Sequence, residues 1–566
     1  MSNDRITRHF ASIDAGRWGP RQVHYRRVGS GPVVICFHQS PMSSRDMLGT
    51  MERWKSHFTC IAPDSPGFGL SDPLGVANAD MRDFADAAIE FMDALGIERA
   101  AVYGFHTGAM ISAAIAAAYP ERIVCAAVNG YVMLSEEERA DIVANYLPEL
   151  KPSWDGAHLT WLWARMREQL IFFPWYRKSL ADRMYVDLPP PEAVHAGLLD
   201  FMRSGDHYRV GYRAAFTMRS DLALREVKVP VLVTAASTDV LAKQLTRVRH
   251  AAPSVTVQVG GDTNATLDLC RDFIKGQKLP KAPKIAPPAP LPGRLHFDYV
   301  TLPKGQLRIA RNDDATGRPV VVLHDAAGSS ETVAALARGF IGRRPVIAVN
   351  LPGHGESDNI LPRGKITVTS YAEVLNDALA ALNIAAVDVV GVWGGASVGL
   401  ELATIAPKRV RRLVMADVLY HDQKLLRELR THYTPDIRPN AHGGHLLEAW
   451  YLIRDQGLFW PWYERNRKGA LRKEPHVDPA MINQRVLELF RSEGMWRHAY
   501  QAHFSYPLAQ RLARSKVSLC FASPVWDPQY EATQEAARDF PRAPFLEMPD
   551  EMHRWARALM PFLDGR

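Results

Sequence analysis

Short apolar runs alternate with amphipathic segments along the whole chain. In the first half, Val33 to Phe37 is a continuous apolar run, and Cys60 to Ala62 belongs to a second. Ala101 to Tyr103, Ile123 to Val128 and Val229 to Thr234 follow. Short runs of this kind between turn residues predict strands. Met81 to Leu95 and Ala109 to Ala118 lie between them and predict helices. The second half repeats the order: Pro319 to Leu323, Val346 to Val349, Tyr371 to Leu382, Val387 to Val390, Leu400 to Thr404, Arg412 to Ala416 and Val517 to Phe521. Strand and helix in alternation predict an α/β fold, with a mostly parallel sheet covered on both faces by helices. Two longer stretches break the rhythm, about 134–225 and 419–512. They are rich in Trp, Tyr, Phe, Arg and His at helical spacing, and they read as a helical lid over the C-terminal edge of each sheet.

The halves are copies. Tyr146-Leu-Pro148 returns as Tyr433-Thr-Pro435, His158-Leu159 as His445-Leu446, and Trp163 as Trp450. Arg167-Glu168-Gln169 returns as Arg454-Asp455-Gln456, and Pro174-Trp175-Tyr176 as Pro461-Trp462-Tyr463. Every pair is offset by 287 (433 − 146, 463 − 176). One offset across five separate matches marks a tandem duplication of a large unit, not a solenoid of short repeats. Leu279 to Gly293 reads LPKAPKIAPPAPLPG, with six prolines. Such a segment favours an extended conformation and reads as a linker. The expected organisation is therefore 1–278, a linker over 279–293, and 294–566.

Composition narrows the function classes. Of 566 residues, 47% are hydrophobic and 23% charged, which argues against a disordered chain. The net charge of +7 is mild, and no run of five like charges occurs, so no nucleic-acid partner is expected. Ala100 to Tyr119 lacks Lys, Arg, Asp and Glu but holds Gly104, His106 and Gly108, which suits a strand, a turn and a buried helix better than a membrane span. The first residues have no apolar leader region, so no signal peptide and no membrane partner is expected. Cys36, Cys60, Cys125, Cys270 and Cys520 are odd in number and scattered. That suits a reducing cytoplasm and excludes a zinc ribbon. His442 and His445 flank Gly443-Gly444 and make a poor metal pair, so no metal is expected. No dinucleotide or P-loop motif is present, and no cofactor is implied. Homo-oligomerisation is left open.

The motifs give the pattern a name. His38-Gln-Ser-Pro41, Asp64-Ser-Pro-Gly67-Phe-Gly69-Leu-Ser71-Asp72 and Gly104-Phe-His106-Thr-Gly108 follow successive strands of the first unit. His324-Asp-Ala-Ala-Gly328, Asn350-Leu-Pro-Gly353-His-Gly355-Glu-Ser357-Asp358 and Gly391-Val-Trp393-Gly-Gly395 follow those of the second. This ordered set resembles the α/β-hydrolase superfamily. The resemblance covers nearly all of both halves and speaks to fold more than to reaction.

The family's nucleophile elbow is G-x-Ser-x-G, whose glycines let a strained turn lift the middle residue into a pocket. Here that residue is His106 in one unit and Trp393 in the other. Gly395-Ala-Ser397-Val-Gly399 also fits the motif, but the strand Val387 to Val390 must end at the turn, which leaves Ser397 on a packed helix. The resemblance places the acid at Asp239 and Asp527, and the base at His553; no His stands at the base position of the first unit. His106 is open to three readings: a general base steered by Asp239, a nucleophile forming an acyl-imidazole, or a pocket filler. His553 with Asp527 is the dyad that better matches the family's acid and base positions, or His553 is an unused remnant. A His held by a carboxylate titrates near neutrality and can activate water without a serine.

The family's oxyanion donors are backbone N–H groups, here of Thr107 or Gly394 and of Gln39 or Asp325, in the loops that follow His38 and His324. Asp325 is alternatively an extra acid or base, or a loop cap. In the lids, Trp163 and Trp450 either bury the lid or line an aromatic pocket, with Arg167 or Arg454 pairing a substrate carboxylate. The sequence thus points to a cofactor-free hydrolase or lyase of a small, partly aromatic carbonyl compound, working by His/Asp chemistry without a serine. The competing reading is a non-catalytic pair that binds a small ligand or scaffolds an assembly.

Overall fold

The fold is that of a computed structural model, which describes residues 4–362 and 366–565. The chain falls into two compact units, one of 1–151 with 158–289, the other of 152–157 with 290–566. Between the helix ending at Lys275 and the strand opening at His296 lies no regular element.

The first unit is built on one eight-stranded sheet: β1 (Thr7–Ile13), β2 (Arg21–Val28), β3 (Val33–Phe37), β4 (Thr59–Pro63), β5 (Ala100–Phe105), β6 (Ile123–Asn129), β7 (Val231–Ala235) and β8 (Val255–Val259). Their order is β1-β2-β4-β3-β5-β6-β7-β8. β1 and β2 pair antiparallel, as do β2 and β4; every later pairing is parallel. The apolar runs are continuous because both faces are covered. Alternate side chains of β3 enter different cores, Val33, Ile35 and Phe37 on one face and Val34 and Cys36 on the other. β4 and β5 divide likewise, with Ile61 and Val102 opposite Cys60 and Tyr103.

The second unit repeats this with β9 (His296–Leu302), β10 (Gly305–Asn312), β11 (Val320–Leu323), β12 (Val346–Val349), β13 (Val387–Val392), β14 (Val410–Ala416), β15 (Ser518–Pro524) and β16 (Phe545–Met548). Its order, read from the other edge, is β9-β10-β12-β11-β13-β14-β15-β16. The repeated topology is what a duplicated chain folds into.

Helix starts carry their own signals. Met81–Ala94 opens with a capping box between Asp80 and Asp83, and Val368–Ala381 with one between Thr367 and Ser370. Between β6 and β7 lies an insertion of five helices, from Glu136–Asn145 to Ser220–Glu226. Between β14 and β15 lies its counterpart, from Gln423–His432 to Leu508–Arg514. The repeat shows in its contacts. Trp175 Nε1 donates to the Tyr146 carbonyl at 3.2 Å, and Trp462 Nε1 to the Tyr433 carbonyl at 3.0 Å.

Candidate functional site

In each unit the central strand turns sharply into a helix. β5 ends at Phe105, His106 takes φ 47° and ψ −109°, and the helix Thr107–Ala118 begins. In the second unit Trp393 takes φ 52° and ψ −119° between β13 and the helix Gly394–Ile405. Side chains rarely hold such angles, and backbone strain of this kind clusters at functional sites. The flanking glycines make the turn possible. A Cβ on Gly104 would strike the Gly108 carbonyl, and one on Gly391 the Gly395 carbonyl. Ser397 lies inside the following helix and is buried.

The His106 ring reaches across to β7's loop. Its Nε2 lies 2.8 Å from Asp239 Oδ2, and its face stacks on Phe105 with centroids 4.1 Å apart. Nδ1 makes no hydrogen bond to the described residues. Asp239 is fixed in turn by the Leu241 N–H, which donates to Oδ1 at 2.8 Å. Burial pushes the Asp239 carboxyl up, but the charge and hydrogen bond of His106, with the Leu241 N–H, outweigh it and hold Asp239 below its ordinary range. Gly130 makes room for the ring: a Cβ there would collide with His106 Cδ2 and stand 2.8 Å from Nε2.

The loop after β3 is bound inward. His38 is buried with both ring nitrogens used, Nδ1 on the Gln39 carbonyl at 2.8 Å and Nε2 accepting from the Ser65 N–H at 2.9 Å. His38 therefore positions the loop, and its ring has no nitrogen left for a substrate. Gln39 turns its side-chain amide to Asp46 Oδ1 at 3.3 Å, with its backbone N–H 3.5 Å from Oδ2. Thr107 Oγ1 accepts from the Ser40 N–H at 3.3 Å. Trp163 is buried within the insertion, whereas Arg167 is half-buried and its side chain makes no ion pair among the described residues. The buried arginine of this helix is Arg165, which sequence reasoning passed over. Its guanidinium lies 4.8 Å above the Tyr146 ring and 4.6 Å above Trp175, with Nη1 donating to Gln169 at 2.7 Å. Helical phase was the available signal: Leu162, Arg165 and Met166 share one buried face.

The second unit departs from expectation at its dyad. Asp527 Oδ2 accepts from Trp393 Nε1 at 3.1 Å and Oδ1 from the Gln529 N–H at 2.7 Å. No hydrogen bond or ion pair joins Asp527 to His553, which is exposed on the short turn Met552–Arg554. The expected His553–Asp527 dyad is thus corrected. The turn runs straight into the helix Trp555–Asp564, and that geometry leaves the imidazole in solvent.

Beside Trp393 opens a cavity of about 320 Å³ lined by Asp325, Asp417, Lys473, Arg485, Tyr500 and Asp527 among others. Its lining includes neither Trp450, which is fully buried, nor Arg454, whose guanidinium stands 3.9 Å from Asp455. Asp325 accepts from Tyr500 at 2.8 Å and lies 3.9 Å from Arg485. Burial raises its carboxyl against the opposing Arg485 charge and the Tyr500, Ala326 and Gly394 donors, so the Gly394 N–H already faces a carboxylate. Burial pushes Asp527 up to about 7, and burial with the neighbouring Asp527 charge raises Asp417 well above the ordinary carboxylate range. Asp417, Lys473 and Arg485 were missed in the sequence. The repeat could have found the first, because offset 287 pairs Asp417 with Gly130.

Comparison with known proteins fits this architecture. The family model described as alpha/beta hydrolase fold matches residues 32–258 and 318–435. Haloalkane dehalogenase 2 of Mycobacterium tuberculosis is 32% identical over 105 residues, which cover 18% of this chain and 36% of that protein. The 2-(acetamidomethylene)succinate hydrolase of Mesorhizobium japonicum is 31% identical over 143 residues, 25% of this chain and 50% of its own. The chain spans half or less of the length of these curated relatives. Among solved structures, the enol-lactonase of Burkholderia xenovorans covers 47% of this chain and 99% of its own, at 18% identity and a TM-score of 0.37. Among the described residues no helix is long and apolar enough to cross a membrane.

Proposed function

The chain belongs to the alpha/beta hydrolase fold family, and from that premise we propose that it hydrolyses a small carbonyl compound at the first unit, with the His106 imidazole standing where the family holds its attacking serine. The carrying observation is the 2.8 Å contact between His106 Nε2 and Asp239 Oδ2 at the strained strand–helix turn. With Nε2–H donated to Asp239, Nδ1 presents its lone pair. It takes a proton from water, and the resulting hydroxide attacks the carbonyl carbon. The buried Asp239 carboxylate stabilises the imidazolium that forms. The oxyanion builds up at the N-terminus of Thr107–Ala118, where free N–H groups and the helix dipole favour negative charge. The imidazolium then returns its proton to the leaving group as the tetrahedral adduct collapses. The matched relatives' names, a dehalogenase and a succinate-derivative hydrolase, support hydrolysis of a small organic molecule. The helical insertion serves in this reading as a lid.

The second unit supports a binding role better than a catalytic one. Trp393 fills the turn and ties its N–H to Asp527.

The reading is tested with p-nitrophenyl acetate and an aryl lactone as substrates. His106→Ala should lower kcat/KM by about 10²–10⁴-fold, the range of general-base catalysis. Ser397→Ala should leave it unchanged, and a fluorophosphonate probe should not label the chain. Full activity in His106→Ala, or labelling at Ser397, would sink the proposal.

A further inference from the structure

The cavity of the second unit is acidic and under-compensated. Five acids line it, Asp325, Glu331, Asp417, Glu474 and Asp527, against the cations Lys473 and Arg485 and the imidazole of His476. Both cations already have partners. Lys473 Nζ donates to the Asp527 backbone carbonyl at 2.7 Å and pairs with Glu531 at 3.3 Å. Arg485 donates to Gln456 at 2.9 Å and faces Asp325. Glu331 is paired with Arg308 at 2.8 Å. Asp417 and Asp527 share the single ammonium of Lys473, which is itself held on the Asp527 backbone and on Glu531. Asp417 is 1% exposed; Oδ1 accepts from the Ser523 hydroxyl at 2.6 Å, and Oδ2 accepts from none of the described residues. Asp527 is 3% exposed and is bonded only by the neutral donors Trp393 and Gln529. Buried carboxyls of this kind are stable as anions only beside a positive charge. The wall nearby is aromatic, formed by Trp393, Tyr433, Tyr500 and Trp526.

We propose that this cavity binds a small organic ammonium, its charged head beside Asp417 and Asp527 and its apolar body against Trp393, Tyr433 and Tyr500. Aromatic faces attract an ammonium through the ring quadrupole, and carboxylates supply the counter-charge. The 320 Å³ volume lies within the range of small-molecule pockets. Among the described residues no group of three His, Cys, Asp or Glu is arranged to hold a metal ion. This site rests on the cavity alone and is independent of the His106 chemistry, because binding and hydrolysis are read by separate measurements.

Calorimetric titration of the full chain with benzylammonium, 2-phenylethylammonium and tryptammonium tests the site, with 2-phenylethanol and 3-phenylpropionate as neutral and anionic comparators. At least one ammonium should bind about tenfold or more tightly than 2-phenylethanol. Asp417→Asn and Asp527→Asn should each weaken it by about tenfold or more, and the exposed Glu137→Gln should not. Asp417 sits at φ 57°, a left-handed conformation that Asn tolerates, so its variant should melt like the parent. The site is overturned if no ammonium binds at millimolar concentration, or if 3-phenylpropionate binds as tightly. Unchanged affinity in both variants, or competition by magnesium chloride, overturns it equally.

Discussion

One repeat position holds Gly130 in the first unit and Asp417 in the second, and the difference tracks the residue at the turn. The His106 ring lies where a Cβ on residue 130 would stand, so Gly130→Ala should displace the ring from Asp239. At φ +74° the alanine is also strained, by about 1–2 kcal/mol. Hydrolysis should therefore fall further than melting temperature explains, which parallel kinetics and thermal scans would reveal. Asp527 gives a pH-dependent counterpart. Its folded-state carboxyl is raised to about 7 from an ordinary 3.8, so the protonated form is favoured in the native state. The stability this contributes is complete below the unfolded value and is lost as pH climbs towards 7. Asp527→Asn should gain stability relative to the parent between about pH 4 and 7, read as a shift in urea midpoint. A constant difference across that window would refute the assignment. At this scale the sequence was legible where a contact sits on a motif, as between His106 and Asp239. It was harder to read where burial decides, as at Asp417 and Arg165, which carry no motif and show only in the repeat offset and in the phase of a helix.

At the level of elements, fully buried strands were the clearest signal. Val33 to Phe37 and Val346 to Val349 were read with the bounds the structure gives them, because both faces are apolar. The hairpins β1–β2 and β9–β10 were not assigned. Their strands, such as RQVHYRRV, mix polar and apolar residues, and several of those polar side chains are nonetheless buried. The base position also failed at this level. A histidine just beyond β16 fits by order along the chain, but the turn that carries it points outward. Capping is the element-scale handle on stability. The Asp80 carboxylate accepts the Asp83 N–H at 3.0 Å, and the Asp80 N–H donates to Asp83 Oδ2 in return. Asp80→Ala should cost about 1 kcal/mol, visible as a lower urea midpoint with unchanged hydrolysis.

Across the whole molecule, one offset shared by five matches in the insertions was enough to reveal the duplication, and matched positions elsewhere drift from it by a single residue. What the offset also pairs, once the fold is known, is two versions of one corner. The frame around that corner is common to both units: the glycine-flanked turn, the Trp–Tyr clasp of the insertion and the carboxylate beyond β7 or β15. Two of the differences in its contents, His against Trp and Gly against Asp, decide whether an imidazole can reach the carboxylate. They should consequently behave as interchangeable fittings in one socket. In a His106→Ala background, Trp393→His combined with Asp417→Gly should bring an imidazole onto Asp527 and restore turnover of p-nitrophenyl acetate, while Trp393→His alone stays silent because Asp417 still occupies the room the ring requires.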